Sequence, residues 1–358
     1  EKANEALLLD MWGTFVCHHK EPIDNARKHL MRGYFSGVEN GSYQWAGYCA
    51  MINLFMSFWG RDSLQNIAEK IDKILPGLEK IDPNMAQYYY AVKAAVHNLK
   101  ESVKDTTSLS PSIWPKMDEV LKLSKEQNDG MTLLVDTTCR LTLANWYGQL
   151  QVAAKLAEAG DAYVAGVPGV LINPVFCFHQ ALAFAGNYNE TDSTRKSKYL
   201  AQIQATLAKF EDYARHCPEN YSHQALLLKA ELARILNHPL EAMDLYDQAI
   251  DSAQGNGFTQ NQAFANELAG GFYLSLKKEK IAQLYLKEAL YTYKMWGAGA
   301  LEAHLEKSYA HLNLAAYNIK TPSSASDSIS QAPLDLNTIM QASQAISREI
   351  KLDKLLAR

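Results

Sequence analysis

QALLLKAELARILNHPLEAMDLYDQAIDSAQGNGFTQNQAFANELAGGFYLSLKKEKIAQLYLKEALYTYKMW, residues 224–296, repeats its own plan. Ala225, Ala242, Tyr246 and Ala249 recur forty residues later as Ala265, Ala282, Leu286 and Ala289. Apolar residues between them fall at the 3.6-residue period of a helix, and Asn237-His-Pro239 and Gly255-Asn-Gly257 interrupt the pattern. Small residues at fixed places on both helices of a pair let backbones approach closely, while the large residue fills the groove between them. Two neighbouring helix pairs therefore share one design, and a stacked array is expected.

Working outward, helical periodicity fills the rest of the chain, and about fourteen helices are expected. The early ones run near 3–18, 23–38, 43–59, 62–80 and 84–100, with Pro22, Asp62 and Asp82-Pro83 as start signals and Gly60 as a stop. After a polar loop at 101–113, helices follow near 115–127, 131–147, 149–164, 170–187, 194–216, 222–236, 239–254, 260–276, 279–296 and 299–317. The 19 Gly and 11 Pro among 358 residues are too few for an all-β sandwich or barrel. The fold expected is an all-α, tetratricopeptide-like helical-hairpin superhelix over 1–318, with a sub-boundary near 101–113. The forty-residue period exceeds the usual ~34, so the helices should be longer than the standard repeat's.

From Thr321 to Pro333 the text changes to TPSSASDSISQAP, a tether composition, and 319–334 is read as a flexible linker. Beyond it, Leu336, Ile339, Ser343, Ile346 and Ile350 alternate at spacings of three and four, a short a/d seam on a helix over 335–358. Such a seam suits homodimer pairing, a lead into a further domain, or a helix folding back onto the solenoid. The chain opens on Glu1 and stops at Arg358 within a helical pattern, so both ends are read as those of a segment of something longer.

Net charge of −4 without a basic block argues against a nucleic-acid partner. Five scattered cysteines (Cys17, Cys49, Cys139, Cys177, Cys217) with no C-x-x-C pair fit reduced, buried thiols and a cytoplasmic setting. The longest apolar stretches, 51–59 and the interrupted 164–178, fall short of the ~18–20 residues of a membrane span. Catalytic motifs are missing: no P-loop, H-E-x-x-H, G-x-S-x-G or complete G-x-G-x-x-G occurs. Gly297-Ala-Gly299 joins two helices rather than a strand and a helix, and the S-x-x-K matches at Ser193 and Ser275 lack their companions. His18-His19 has no further ligand nearby in sequence, and His304 and His311 are too far apart for one metal. Glu211-Asp212 point to different sides of their helix. The aromatics, among them Trp45, Tyr48, Trp59, Tyr88 to Tyr90, Trp146, Tyr147, Phe272, Tyr273, Tyr291 and Trp296, read mainly as core. No catalytic residue, metal site or cofactor is expected.

From Cys217-Pro-Glu-Asn220 onward the sequence resembles a segment of very large bacterial signalling proteins, through Ala230-Glu231, Ala242 to Tyr246, Ala265-Asn-Glu267 and Trp296-Gly-Ala298. Phe178-His-Gln-Ala-Leu182 is similar to a helix of the same region, with Gln180-Ala181 departing from its usual Ser. Leu336 to Ile350 is similar to the helix preceding their GAF domain. The resemblance is specific from about 170 to 358 and looser before. Those proteins carry a serine/threonine kinase, an AAA-type STAND ATPase, a helical-repeat region, a GAF domain and usually a histidine kinase. It implies that this chain is the repeat region between ATPase and GAF domain, an interaction and sensor-relay module without catalysis of its own. Its partners would be protein or intramolecular domains (ATPase, GAF, kinase) or a small ligand on the concave face. The other classes to weigh are a peptide-binding adaptor, with a groove of Asn, Lys and Arg from first helices, and an all-helical hydrolase or lyase, with convergent carboxylates, His or a metal.

Overall fold

Helix starts are fixed by short side chains that accept the first free amides. Ser63 accepts from Asn66 N, Asp82 from Asn84 N and Met85 N, Asp129 from Thr132 N, and Asp192 from Arg195 N. Pro83 takes the first position of the helix that Asp82 caps, and Pro218 and Pro239 open two further helices, where a missing N–H costs nothing. The structure, a computed structural model, describes residues 4–314. Among them are fifteen α-helices and no strand: α1 Glu5–Phe15, α2 Ile23–Glu39, α3 Tyr43–Met56, α4 Leu64–Ile81, α5 Pro83–Lys100, α6 Met117–Gln127, α7 Gly130–Trp146, α8 Leu150–Val164, α9 Ile172–Gly186, α10 Ser193–His216, α11 Pro218–Ile235, α12 Pro239–Gly255, α13 Thr259–Ser275, α14 Glu279–Trp296 and α15 Gly299–Ser308. The all-α solenoid is thus observed.

Consecutive helices pack as antiparallel hairpins except α5 and α6, which loop 101–116 separates, and the odd-numbered ones also pack on each other in succession from α1 to α13. The odd helices are an inner layer and the even ones an outer layer. Residue chemistry follows: α3, α7 and α9 are apolar and buried almost all round, whereas α4 and α10 keep charged outer faces. α15 turns back onto α5, so the inner row meets itself. Trp146 on α7 packs edge-on against Trp296 on α14, ring centroids 5.1 Å apart, and both are fully buried. Each such ring contributes a few kcal/mol by removal from water.

The forty-residue register is built into the backbone. Asn237 and Lys277 end α11 and α13 in the left-handed region, both at φ 60°, and Gly257 and Gly297 do so after α12 and α14, at φ 75° and 91°. Ala225, Ala242, Ala249 and their partners Ala265, Ala282, Ala289 are all buried.

Several boundaries differ from expectation. The first helix stops at Phe15 and a 3₁₀ turn, Cys17–His19, follows. α3 does not run to 59; it loosens into a π-turn, Ser57–Arg61, and leaves helical geometry at Gly60. Asp62 is not a cap: Ser63 caps α4, and Asp62 is held by cations instead. α11 begins at Pro218 rather than 222, and the last described helix ends at Ser308. The described residues form one unit, within which loop 101–116 buries Trp114. The expected linker and 335–358 helix lie outside the described residues.

Candidate functional site: a long-range clamp

The first turns of the repeats reach across to the N-terminal hairpins. α2 starts at Ile23 behind Pro22, which has no side chain able to cap it. The missing cap comes from α11: Asn220 Oδ1 accepts from Ile23 N at 2.9 Å. Asn220 Nδ2 also donates to His18 O (2.8 Å) and Glu21 O (2.9 Å), so one buried amide holds three backbone groups of a turn some 200 residues away. Forty residues on, in the same register, Gln260 Nε2 donates to Gly60 O at 2.5 Å. Trp296 Nε1 donates to Asp62 O at 3.0 Å. The π-turn is therefore fastened from α13 and α14, and also from α7, where Thr142 Oγ1 accepts from Trp59 Nε1 at 3.3 Å.

Charge surrounds the same turn. Asp62 takes Arg27 (2.7 Å) and Lys70, and Asp24 takes Arg27 (3.1 Å) and Arg61 (3.0 Å). Burial works against the Asp62 carboxylate, but the Lys70 hydrogen bond and the Arg27 charge outweigh it and hold its pKa below the ordinary value. The Arg61 guanidinium lies 5.1 Å from the Phe258 ring centre. Removing one member of such a partly buried network leaves its partner's charge uncompensated, which costs more than the pair contributes.

The space enclosed by these contacts is small. His18, Trp59, Asn220, Tyr221 and Phe258 help line a cavity of about 20 Å³, room for one water and no more. His18 is buried and its pKa is driven down to about 3 by burial, then by His19. The His19 ring lies against Tyr213 and Tyr221. This cavity is too small for a small-molecule ligand. Among the described residues one set of metal-ligating atoms converges, on Cys17, Glu21 and His29.

The other residues weighed from sequence are dispersed. His304 packs edge-on against Tyr147. Ser275 Oγ donates to Phe272 O, and Ser193 begins α10. Glu211 pairs with Lys229 and Asp212 with Arg215. Gly297 is a helix terminus. The aromatics are mostly core, with Tyr291 the clear exception at 55% exposure. All five thiols are free and buried, and burial raises their pKa, Cys17 and Cys217 to about 11. Such thiols are poor nucleophiles.

Sequence reading singled out Pro218-Glu-Asn220 and Trp296-Gly-Ala298 without giving them a task, and it missed Gln260. The signal was within reach: carried back from Ala225 and Ala265, the register aligns Asn220 with Gln260.

No protein-family model matches the chain. Over 116 residues, 32% of the chain, it is 37% identical to hybrid signal transduction histidine kinase G of Dictyostelium discoideum, and the matched stretch spans only 3% of that protein's length.

Proposed function

We propose that the chain is a non-catalytic interaction and relay module of a multidomain signalling kinase, coupling neighbouring domains rather than transforming a substrate. The observation that carries this reading is the clamp: residues in the first turns of successive repeats hold the turns of the N-terminal hairpins. A displacement at either end must strain Asn220, Gln260 or Trp296 and be felt at the other. The kinase, ATPase and GAF neighbours implied by the family resemblance would be the source and target of that displacement. A cytoplasmic setting agrees with helices none of which, among those described, is long and apolar enough to cross a membrane. The peptide-adaptor reading loses support because the first-helix amides it needs are engaged inward: Asn220 in the clamp, Asn261 on His223, Asn266 on Gln262 O.

Hydrogen exchange on the Asn220→Ala variant tests the coupling. Amides of 16–23, 57–62 and the first turn of α13 should all lose protection together. Loss confined to α11 and the 16–23 turn would defeat the relay. In the complete signalling protein the same variant should alter phosphorylation output; unchanged output alongside demonstrated loosening would overturn the regulatory role.

A further inference from the structure

We infer that the turn joining α1 to α2 is a binding site for a borderline divalent cation such as Zn(II), with Cys17, Glu21 and His29 as its three protein ligands. A sulfur, a carboxylate oxygen and an imidazole nitrogen lie within 4.8 Å of one another there. Tetrahedral zinc with these donors separates sulfur from nitrogen by about 3.5 Å, so closing the set asks only for side-chain rotations. This donor mixture suits zinc over hard cations, which want oxygen alone.

The turn is built for the arrangement. Cys17 O accepts from both Lys20 N (2.9 Å) and Glu21 N (2.8 Å), which folds the chain so that residues 17 and 21 are side by side. His29 comes from the second turn of α2, one helical turn beyond Asn25. Asn25 Nδ2 donates to Glu21 Oε2 at 3.1 Å and orients the carboxylate, an outer-shell contact of the kind that supports metal ligands. The Glu21 carboxylate and the Trp12 indole both lie close enough to the Cys17 thiol to bear on its ionisation. On binding, the metal takes the place of the thiol proton: the S–H bond breaks, the proton passes to solvent, and the sulfur–metal bond forms. Cys17 is buried while Glu21 and His29 are half-exposed, so the ion enters from their side. The fourth position is left to water or to Cys217, a neighbouring thiol at the start of α11. A metal here would stiffen the turn whose His18 and Glu21 carbonyls Asn220 grips, but binding itself does not depend on the relay reading.

Cobalt(II) titration of the reduced full chain tests the site. One equivalent should produce a thiolate-to-cobalt charge-transfer band, displaced by Zn(II). Cys17→Ser should abolish the band. Because a buried substitution can disturb folding, the half-exposed His29→Ala and Glu21→Gln variants, checked for native helicity, are the decisive pair, and each should weaken binding by about tenfold or more. Cys177→Ser should leave the band unchanged. Absence of a band in the folded wild type, or a band indifferent to His29→Ala, would overturn the site.

Discussion

The two repeats α11–α12 and α13–α14 share alanines, turn geometry and the first-turn amide that reaches toward the N-terminal hairpins, yet they place their buried polar pairs differently. In the first, Tyr246 on α12 donates its hydroxyl to Glu231 on α11, and Arg234 completes the group. The equivalents in the second are Gly271, Leu286 and Leu274, so nothing polar is buried there. Instead Tyr293 on α14 donates to Glu267 at 2.8 Å, where the first repeat has Ala253 and Leu227. Apolar register can be repeated cheaply, because any small residue permits close packing. A buried hydroxyl or carboxylate must find its own partner, and each repeat solves that separately. The array is periodic in shape and individual in chemistry.

The clamp is the place where the comparison has its largest consequence. Asn220 satisfies three backbone groups and Gln260 one, with Gln260 Oε1 buried and unpartnered. Asn220→Ala should cost about 3–4 kcal/mol of unfolding free energy, from lost bonds and orphaned backbone groups, and Gln260→Ala only about 1. Urea unfolding of both variants measures the ratio. Equal costs would mean that the two first turns do the same work and that the α1–α2 turn needs no remote cap.

The displaced carboxylate gives a pH test. Burial raises Glu267 to about 7 from 4.5, with only partial relief from Tyr293. A folded-state pKa above the unfolded one means that the native protein holds a proton the unfolded chain has released. The resulting stabilisation is complete below pH 4.5 and lost as pH rises through 7. Glu267→Gln cannot titrate, so the stability of wild type relative to this variant should improve by about 3 kcal/mol between pH 8 and pH 4.5. His179 and His223, driven down to about 3 by burial, titrate in both proteins and cancel in the difference. A pH-independent difference would place the Glu267 carboxyl in water.

At the groove between paired helices the repeats differ by one methyl. Gly270 stands where the first repeat has Ala230, because a Cβ at 270 would lie 2.6 Å from Leu286 Cγ. The flat ring of Tyr246 leaves room for the Ala230 methyl; the branched Leu286 does not. Alanine is the better helix former by about 1 kcal/mol, yet overpacking outweighs it, and Gly270→Ala should destabilise by about 1–2 kcal/mol. Thermal unfolding reads the sign directly. A stabilised variant would show that Leu286 can retreat and that Gly270 is retained for some other reason.

The same residues show what could be read without coordinates. The alanines, Tyr246 and Leu286 gave the helix pairs because their spacing is a local property, and local spacing is what a one-dimensional text preserves. Asn220, Gln260 and Trp296 stood in that text as well, two of them in noticed motifs. Their partners lie about 200 residues away and are backbone carbonyls and an amide, which carry no sequence mark. The π-turn was illegible for a related reason: Ser57 to Trp59 continues an apolar helical pattern, and the remote groups that hold the turn are marked by nothing in its own sequence. The Cys17, Glu21 and His29 set escaped because attention to His18-His19 follows adjacency, whereas the fold buries His18 and turns residues 17 and 21 together.

The smallest expected effect tests whether the turn register is conformational or chemical. Asn237 and Lys277 both end their helices at φ 60°. Asparagine adopts this left-handed conformation readily through local hydrogen bonding, while lysine bears a penalty of about 1 kcal/mol or more. Lys277→Gly removes the penalty at some cost in unfolded-state entropy, for a net gain of about 0.5 kcal/mol, whereas Asn237→Gly should change stability by no more than a few tenths. In the opposite direction, Gly297→Ala at φ 91° should lose about 1 kcal/mol, although the nearest atom to its new methyl, Leu64 Cβ, is 3.8 Å away and leaves room. Urea midpoints for the three variants decide the matter. If Lys277→Gly gains no more than Asn237→Gly, Lys277 has a compensating contact, and the two turns are alike in angle without being alike in strain.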